Sequence, residues 1–220
     1  MAEPAAIGLL ASVHLGRVAP LGPEGEPSGF VKHAVSGPVE VDAGGLAGDE
    51  QADRRNHGGS EKAVYGYALA HYEAWRRDFP EHHDKFGPGA VGENLAISGV
   101  TEADLCVGDV HAIGAALLQV CQPRQPCYKF ALRFGDDRLP PAMTRNGRAG
   151  WYYRVLRGGR IESGDAVILY ERPNPDFPFA RLIDLISRRN GAQAEFVRLA
   201  QMAGLASQWQ AYARQKLRGA

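Results

Sequence analysis

The residue of the sequence best placed to do chemistry is Cys127, which lies close to two prolines and two cationic residues. The segment Cys121-Gln-Pro-Arg-Gln-Pro-Cys-Tyr-Lys-Phe130 follows an apolar run at residues 115–120, so Cys127 comes where a strand is expected to end. Arg124 and Lys129 are its neighbours, and nearby cations favour the thiolate form of a cysteine. Cys127 is therefore a candidate nucleophile or metal ligand. The alternative is a buried structural thiol, which is our preferred interpretation of Cys121 and Cys106.

A second candidate is the glycine-rich stretch at residues 45–62. Its glycines let the backbone approach a ligand closely, and its arginines and lysine supply charge for an anion such as phosphate. It is neither a Walker loop nor a dinucleotide fingerprint, and a polar surface loop is the alternative. The candidate site residues here are Asp53, Arg54, Arg55, His57, Gly58, Gly59 and Lys62.

The third candidate is the segment from Met143 to Arg154, in which Arg145 and Arg148 flank a glycine turn. Arginines on such a turn suit bidentate binding of an anion, although a charged hairpin edge would look the same. The short motif Gly92-Glu-Asn-Leu95 places Asn94 at the entry to a strand and says little alone.

Two other chemistries fit the sequence less well. The Cys-x5-Cys spacing is wider than that of zinc sites, and no partner pair follows. A Cys/His hydrolase or acyltransferase would need His57 or His111 oriented against Cys127. No family-specific nucleophile motif surrounds Cys127, but this alternative stays open.

The composition is that of an ordinary globular protein. Lys+Arg and Asp+Glu both number 25 in 220 residues, which argues against a general nucleic-acid-binding surface. No apolar run approaches the ~18 residues of a membrane span, and no secretory leader is recognisable. Three cysteines are a poor disulfide framework, so we expect a cytoplasmic protein with reduced thiols.

Short β-strands are expected to position these residues. Six segments bounded by Gly or Pro are rich in Val, Ile, Leu and Tyr, and one helix is expected at residues 67–79. Gly158-Gly159 is expected to form a hairpin turn. Many short strands predict a mainly β fold, a closed or nearly closed barrel whose mouth would hold a ligand. The predicted strands are residues 8–18, 38–43, 90–98, 109–120, 150–156 and 165–170.

The pattern changes to helical near residue 171. Residues 172–178 hold three prolines and are typical of a linker. Apolar residues then recur at helical spacing in three segments, beginning at Phe179, Phe196 and Trp209. We expect a barrel domain at residues 1–171 and a separable three-helix accessory domain at residues 172–220.

Together these segments resemble the MOSC family, named for the C-terminal domain of molybdenum-cofactor sulfurases, and its YiiM-type bacterial members in particular. The tail resembles the "3-alpha" domain of that subgroup. The matching pieces, in the family's order, are Gly48-Asp-Glu-Gln-Ala-Asp53, His57-Gly-Gly-x-x-Lys-Ala-Val64, Gly92-Glu-Asn-Leu95, Gln122-Pro-Arg-Gln-Pro-Cys-Tyr-Lys129 and Gly147-Arg-Ala-Gly-Trp151.

The resemblance implies a MOSC-type β-barrel that holds the molybdenum cofactor (molybdopterin), with Cys127 as the metal ligand. It also implies reduction of N-hydroxylated compounds, such as hydroxylaminopurine-type bases, with electrons from a separate NADPH-dependent flavin reductase. His57 or Asp53 would assist proton delivery. The candidates for holding the cofactor are Arg54, Arg55, Gly58, Gly59, Lys62, Asn94, Arg124, Lys129, Arg145 and Arg148.

A carrier protein is the alternative from another functional class. Cys127 would then bear a persulfide, or the barrel would store the cofactor and hand it over. A binding module for a different anion also remains open. No NAD or flavin fingerprint is visible in the chain, and the apolar faces of the C-terminal helices make a homodimer possible.

Overall fold

The strands precede the proline-rich segment, and three helices follow it. A computed structural model describes residues 5–53, 58–188 and 191–219. The strands are β1 Ala5–Leu15, β2 Ala19–Leu21, β3 Glu26–Ser28, β4 His33–Val35, β5 Val39–Asp42, β6 Gly45–Leu46, β7 Val64–Ala68, β8 Leu95–Ser98, β9 Val110–Ile113, β10 Ala116–Pro123, β11 Trp151–Arg157, β12 Gly159–Ile161 and β13 Ala166–Glu171. The helices are α1 His71–Asp78, α2 Tyr128–Phe134, α3 Leu139–Asn146, α4 Phe179–Arg188, α5 Gln193–Leu199 and α6 Ser207–Arg218, with 3-10 helices at Ser60–Lys62 and Pro80–Lys85.

Seven of these strands close into a barrel, which confirms the predicted mainly β fold. They are hydrogen-bonded in the order β13-β9-β10-β11-β7-β8-β1, and β1 pairs back with β13. All of these pairs are antiparallel except β7 with β8. The long strand β1 closes the ring because its first half pairs with β13 while its centre pairs with β8. The register shifts between Ala6 and Gly8 and between Leu10 and Ser12, which bends the strand around the barrel.

Two apolar cores lie on opposite faces of the barrel wall. The barrel core contains Val64, Trp151 and Tyr153, together with side chains of the C-terminal helices such as Phe179 and Leu182. The second core is largely aromatic and packs α1, α2 and α3 against the outside of the wall. Its members include Tyr65, Tyr67, Tyr72, Trp75, Phe86, Phe130, Phe134 and Tyr152.

Several local predictions were wrong. The predicted helix at residues 67–79 is the end of strand β7 followed by α1, because Tyr67 and Ala68 still belong to a strand that is buried on both faces. The predicted strand at residues 109–120 is the hairpin β9–β10, which turns at Gly114 with φ +53°. The predicted strand at residues 90–98 begins only at Leu95, after a turn. Helices α2 and α3 were not predicted.

The predicted hairpin turn at Gly158-Gly159 is also wrong. The residues after it form β12, which pairs with β5 instead of returning along β11. A Cβ atom on Gly158 would lie 2.6 Å from the Val41 carbonyl oxygen, so this glycine permits a close crossing of two backbones.

The three predicted C-terminal helices are confirmed as α4, α5 and α6, and they pack directly on the barrel. The Phe179 amide donates to the Leu105 carbonyl oxygen at 2.8 Å, and the Ala206 amide donates to the Cys121 carbonyl oxygen at 2.9 Å. The barrel core continues into these helices without a polar boundary. Within the described ranges, every helix is too short or too polar to cross a membrane.

Candidate functional site

The Cys127 segment and the glycine-rich stretch meet in one cleft. Cys127 and Arg124 line it from the segment after β10, and residues 49–53 and Lys62 line it from the segment between β6 and β7. The other lining residues are Ser28, Gly29, Phe30, Lys32, Tyr65, Gly92, Asn94, Lys129 and Tyr152.

The cleft lies on the outer face of the barrel wall, so the expectation that the ligand site would be the barrel mouth was wrong. Tyr65 and Tyr152 line the cleft and belong to the aromatic core. Their strand neighbours Val64 and Tyr153 belong to the barrel core. Because successive side chains of a strand point to opposite faces, the cleft is outside the barrel and beneath the helices that cover that face.

Cys127 is presented by a strand end and a helix start. Strand β10 ends at Pro123, and Cys127 is the N-cap residue of α2, with extended backbone at φ −121° and ψ 145°. Its carbonyl oxygen accepts from the Phe130 amide at 2.9 Å, and its thiol is partly exposed. Pro123 and Pro126 stiffen the connection between strand and helix. The sulfur is therefore held at the cleft surface by a rigid segment.

Arg124 places a buried positive charge beside that sulfur. The residue is 7% exposed, and one guanidinium nitrogen donates to the Val91 carbonyl oxygen at 2.6 Å. The guanidinium carbon lies 4.6 Å from the centre of the Tyr65 ring and 5.1 Å from that of Phe30. Among the described residues, no carboxylate lies within salt-bridge distance of Arg124. A buried cation without a counter-ion is costly, and an anionic ligand in the cleft would lower that cost.

Lys32 and Asp49 form a buried ion pair in the same cleft. Their side chains are 7% and 6% exposed, and the Lys32 ammonium donates to Asp49 Oδ1. The same oxygen accepts from the Gly16 amide at 2.7 Å. Burial lowers the pKa of Lys32 below its ordinary value, while the Asp49 carboxylate partly offsets that effect. Lys32 was not among the predicted site residues.

Asn94 ties this pair to the barrel strands. Its amide nitrogen donates to Asp49 Oδ2 at 2.9 Å and to the His14 carbonyl oxygen at 3.2 Å. Its amide oxygen accepts from the Tyr65 backbone at 3.1 Å. The asparagine of the Gly92-Glu-Asn motif thus fixes the position of two lining residues.

The rest of the cleft adds cations at its rim. Burial lowers the pKa of Lys62, and the charges of Asp53 and Glu61 oppose this. Lys129 donates to the Pro27 carbonyl oxygen at 2.7 Å. Glu50 also lines the cleft, but its carboxylate is bonded to residues that do not. It accepts from the Val18 amide at 2.8 Å and from the Arg17 side chain at 2.9 Å.

The structure brings together some of the predicted site residues and separates others. Arg145 and Arg148, expected to help hold the same ligand as Cys127, instead line a second cleft with His71 and Glu102. Arg145 lies in the last turn of helix α3, and Arg148 is held by Asp78 at 2.5 Å, which places both side chains in this second cleft. Asp53, Lys62, Asn94, Arg124, Cys127 and Lys129 line the Cys127 cleft. Gly58 and Gly59 precede the 3-10 helix and do not line the Cys127 cleft. Arg54, Arg55 and His57 lie outside the described residues.

The other sulfur and imidazole groups have structural surroundings. Cys121 is fully buried, its thiol donates to the Glu61 carbonyl oxygen at 3.1 Å, and burial raises its pKa to about 12. Cys106 is also buried. His111 contacts the Tyr153 hydroxyl at 2.8 Å, and burial lowers its pKa to about 3. It does not line the Cys127 cleft, so the alternative of a Cys127–His111 pair is not supported.

These donors suit a large anionic group that carries a soft metal. A thiolate is a soft ligand, and the buried guanidinium of Arg124 with the ammonium groups of Lys32, Lys62 and Lys129 offers several donors to oxyanions. Among the described lining carboxylates, Asp49 is already bonded to Lys32, Gly16 and Asn94, and Glu50 is bonded to Arg17 and Val18, which disfavours a hard, all-oxygen metal site. The fit rests on the unpaired buried charge of Arg124 beside Cys127.

Comparisons with known proteins agree with this geometry. The MOSC domain family model matches residues 53–168. Protein YiiM of Escherichia coli is 36% identical over 187 residues, covering 85% of this chain and 83% of that protein. A protein named "Reductase" from Gibberella moniliformis is 40% identical over 185 residues, or 83% of this chain, which spans only 33% of that relative's length.

Solved structures show the same fold over nearly the whole chain. The crystal structure of YiiM from Geobacillus stearothermophilus has a TM-score of 0.80 with 30% identity, covering 96% of this chain and 99% of that one. The crystal structure of YiiM from Escherichia coli has a TM-score of 0.81 with 27% identity, and the coverage is 96% and 93%. The structural match includes the C-terminal helices, because the 96% of the chain that it covers extends beyond the barrel strands.

Proposed function

The chain belongs to the MOSC domain family, and we propose that its cleft holds the molybdenum cofactor with Cys127 as a metal ligand. The observation that carries the proposal is the pairing of a partly exposed sulfur with the buried, carboxylate-free guanidinium of Arg124 in one cleft. Family membership supports it, because MOSC domains are associated with this cofactor.

We further propose that the protein is an oxidoreductase that reduces N-hydroxylated compounds, such as hydroxylaminopurine-type bases. The relative named "Reductase" supports this reaction class. Reduction of R–NHOH to R–NH2 breaks the N–O bond, consumes two electrons and two protons, and releases water. The bound cofactor would supply a redox-active molybdenum centre for the electrons. They would originate from a separate NADPH-dependent flavin reductase.

Each lining residue has a defined part in this proposal. Cys127 holds the metal end of the cofactor. Arg124, Lys32, Lys62 and Lys129 bind its oxyanions, and Tyr65, Tyr152 and Phe30 exclude water from one side of the cleft. Asp53 lines the cleft and is our candidate for proton delivery, with His57 as the candidate outside the described residues.

Metal and cofactor analysis is the experiment that tests the proposal. The protein, purified from a host that makes the cofactor, should contain molybdenum and release a pterin on denaturation. With a chemically reduced viologen it should convert a hydroxylaminopurine to the amine, and a flavin reductase with NADPH should replace the viologen. Protein without molybdenum and pterin would refute cofactor binding. A protein that contains the cofactor but does not reduce the substrate, and that passes the cofactor to an acceptor protein, would instead support the carrier alternative.

A further inference from the structure

A polar network connects the back of the cleft to the first turn of helix α6. Glu61 precedes the lining residue Lys62, and its carboxylate accepts from the Ser207 amide at 2.9 and 3.0 Å and from the Ser207 hydroxyl at 2.8 Å. Arg154 donates to the same carboxylate at 2.7 Å. The segment that carries Lys62 is thus tied to a helix of the C-terminal unit.

The same helix turn also contacts the end of strand β10, which leads to Arg124 and Cys127. The side chain of Gln122, two residues before Arg124, accepts from Gln208 and from the Trp209 ring nitrogen, the latter at 3.2 Å. Its amide nitrogen donates to the Glu61 carbonyl oxygen at 2.8 Å. Gln122 therefore connects strand β10 both to α6 and to the residue before Lys62.

We propose that this network is a clasp, made of Glu61, Gln122 and residues 207–209, which sets the position of Lys62 relative to Arg124 and Cys127, with Glu61 as its positioning residue. Glu61 does not line the cleft, and it acts through the place of Lys62 relative to Arg124 and Cys127. The proposal gives the C-terminal helices a role in ligand binding and rests on the proposed function, because it assumes an anion in the cleft.

Glu61 suits this role because its carboxylate has several fixed donors on two elements. Ser207 is the first residue of α6, and Arg154 lies on β11, where Gln119 of β10 also holds it at 2.8 Å. A charged carboxylate at a helix start is stabilised by the free amides there. Loss of the charge would release the 3-10 turn, and with it Lys62, from α6 without changing the identity of any lining residue.

The test measures how well pyrophosphate, a probe of the anion site, protects Cys127 from a thiol-alkylating reagent. It uses the protein freed of cofactor. Glu61→Gln keeps the side-chain shape and removes the charge. We expect this variant to need about ten times more pyrophosphate to halve the rate of Cys127 alkylation, because about tenfold in affinity corresponds to the loss of one charge-assisted contact. Ser207→Ala removes a single donor and should raise the required pyrophosphate concentration by a smaller factor. Glu195→Gln, which breaks the ion pair with Arg181 between α4 and α5, is the matched control and should leave that concentration unchanged.

The outcomes separate the clasp from the proposed function. Equal protection in wild type, Glu61→Gln and Ser207→Ala would overturn the clasp and leave the anion site intact. No protection of the wild type by pyrophosphate would overturn both. If Glu61→Gln does not fold, Ser207→Ala decides the matter, and Glu61→Asp should restore part of the protection because it restores the charge.

Discussion

Arg124 and Cys127 carry most of the chemistry at the scale of single residues. The guanidinium is buried beside two aromatic rings and donates to one backbone carbonyl, and among the described residues no carboxylate pairs with it. The sulfur is more accessible than either Cys106 or Cys121. Because burial raises the pKa of Cys121 to about 12, alkylation at neutral pH should modify Cys127 and spare Cys121.

Removal of the Arg124 charge should weaken cofactor binding. We expect Arg124→Met, which keeps the apolar packing, to lower affinity about ten- to a hundredfold, as loss of a charge-assisted contact would. Molybdenum retained after dialysis is the measurement. Arg145→Met is the control, since Arg145 lines the other cleft. Equal retention by both variants, or a greater loss in Arg145→Met, would contradict the assignment.

The buried histidine His111 should make stability depend on pH. Its pKa falls from 6.5 to about 3 in the folded protein, so the unfolded chain binds the additional proton between these values. The contribution of His111 to the unfolding free energy should therefore be fully present above pH 6.5. It should be lost as the pH falls toward 3, by about 1.4 kcal/mol per pH unit. We expect His111→Gln to flatten the dependence measured by denaturant unfolding between pH 7 and 4.5. An unchanged slope would show that His111 does not contribute.

The sequence predicted part of the site at this scale. Cys127, Arg124 and residues of the 45–62 stretch stood out because charge, glycine and sulfur cluster locally. Lys32 did not, since it follows Val31 and precedes His33 in a segment with no such cluster. It acquires its place only through Asp49, which is 17 residues away. Arg145 and Arg148 stood out for local reasons, and the fold places them elsewhere.

The secondary elements hold the cleft through tight backbone crossings. Gly150 begins the approach to β11 with φ +64°, and its amide donates to Glu102 at 2.6 Å. A Cβ atom there would lie 2.5 Å from the Gly66 carbonyl oxygen and 2.8 Å from the rings of Tyr65 and Tyr67. Tyr65 in turn supports Arg124. A glycine at this position therefore protects the cleft wall.

A pair of glycine substitutions tests this crossing. Gly150→Ala and Gly135→Ala both place a Cβ at positive φ, but nothing lies within 4 Å of the Cβ position at Gly135. We expect Gly135→Ala to cost about 1 kcal/mol of unfolding free energy from the backbone alone. Gly150→Ala should cost about 3 kcal/mol or more, because backbone strain and the collision add. Similar unfolding free energies for the two variants would contradict the close crossing.

Short elements explain most errors of the sequence-based prediction. Helix α2 has 7 residues, and α3 opens with Leu-Pro-Pro, so neither shows enough turns for a helical pattern. Strand β7 is apolar throughout because both of its faces are buried, which hides the alternation typical of a strand. The long strands and the C-terminal helices have clear periodicity, and these were predicted.

At the scale of the whole molecule, the barrel and the C-terminal helices share a core. Phe177, Phe179 and Leu182 belong to the same apolar core as barrel residues such as Leu118 and Val120. The clasp adds polar contacts between α6 and the strands behind the cleft. The division into domains at residue 171 stays a prediction, and these contacts argue that the helices also support the barrel.

Truncation after Glu171 tests the relation of the two parts. It uncovers the apolar surface beneath α4 and α6 and leaves the Leu105 and Cys121 carbonyl groups without their helix partners. We therefore expect a strongly destabilised or insoluble product, measured by soluble yield and thermal unfolding. A soluble barrel with unchanged melting temperature and molybdenum content would instead support an independent accessory domain.

X-ray absorption at the molybdenum edge tests the central claim most directly, because it reports the atoms bound to the metal in the cofactor-loaded protein. The wild type should show one more sulfur neighbour than Cys127→Ser, and Cys121→Ser should match the wild type, since its thiol is buried against the Glu61 carbonyl oxygen. If Cys127→Ser cannot retain molybdenum while Cys121→Ser does, the same conclusion follows. An identical sulfur count in wild type and loaded Cys127→Ser would contradict Cys127 as the metal ligand.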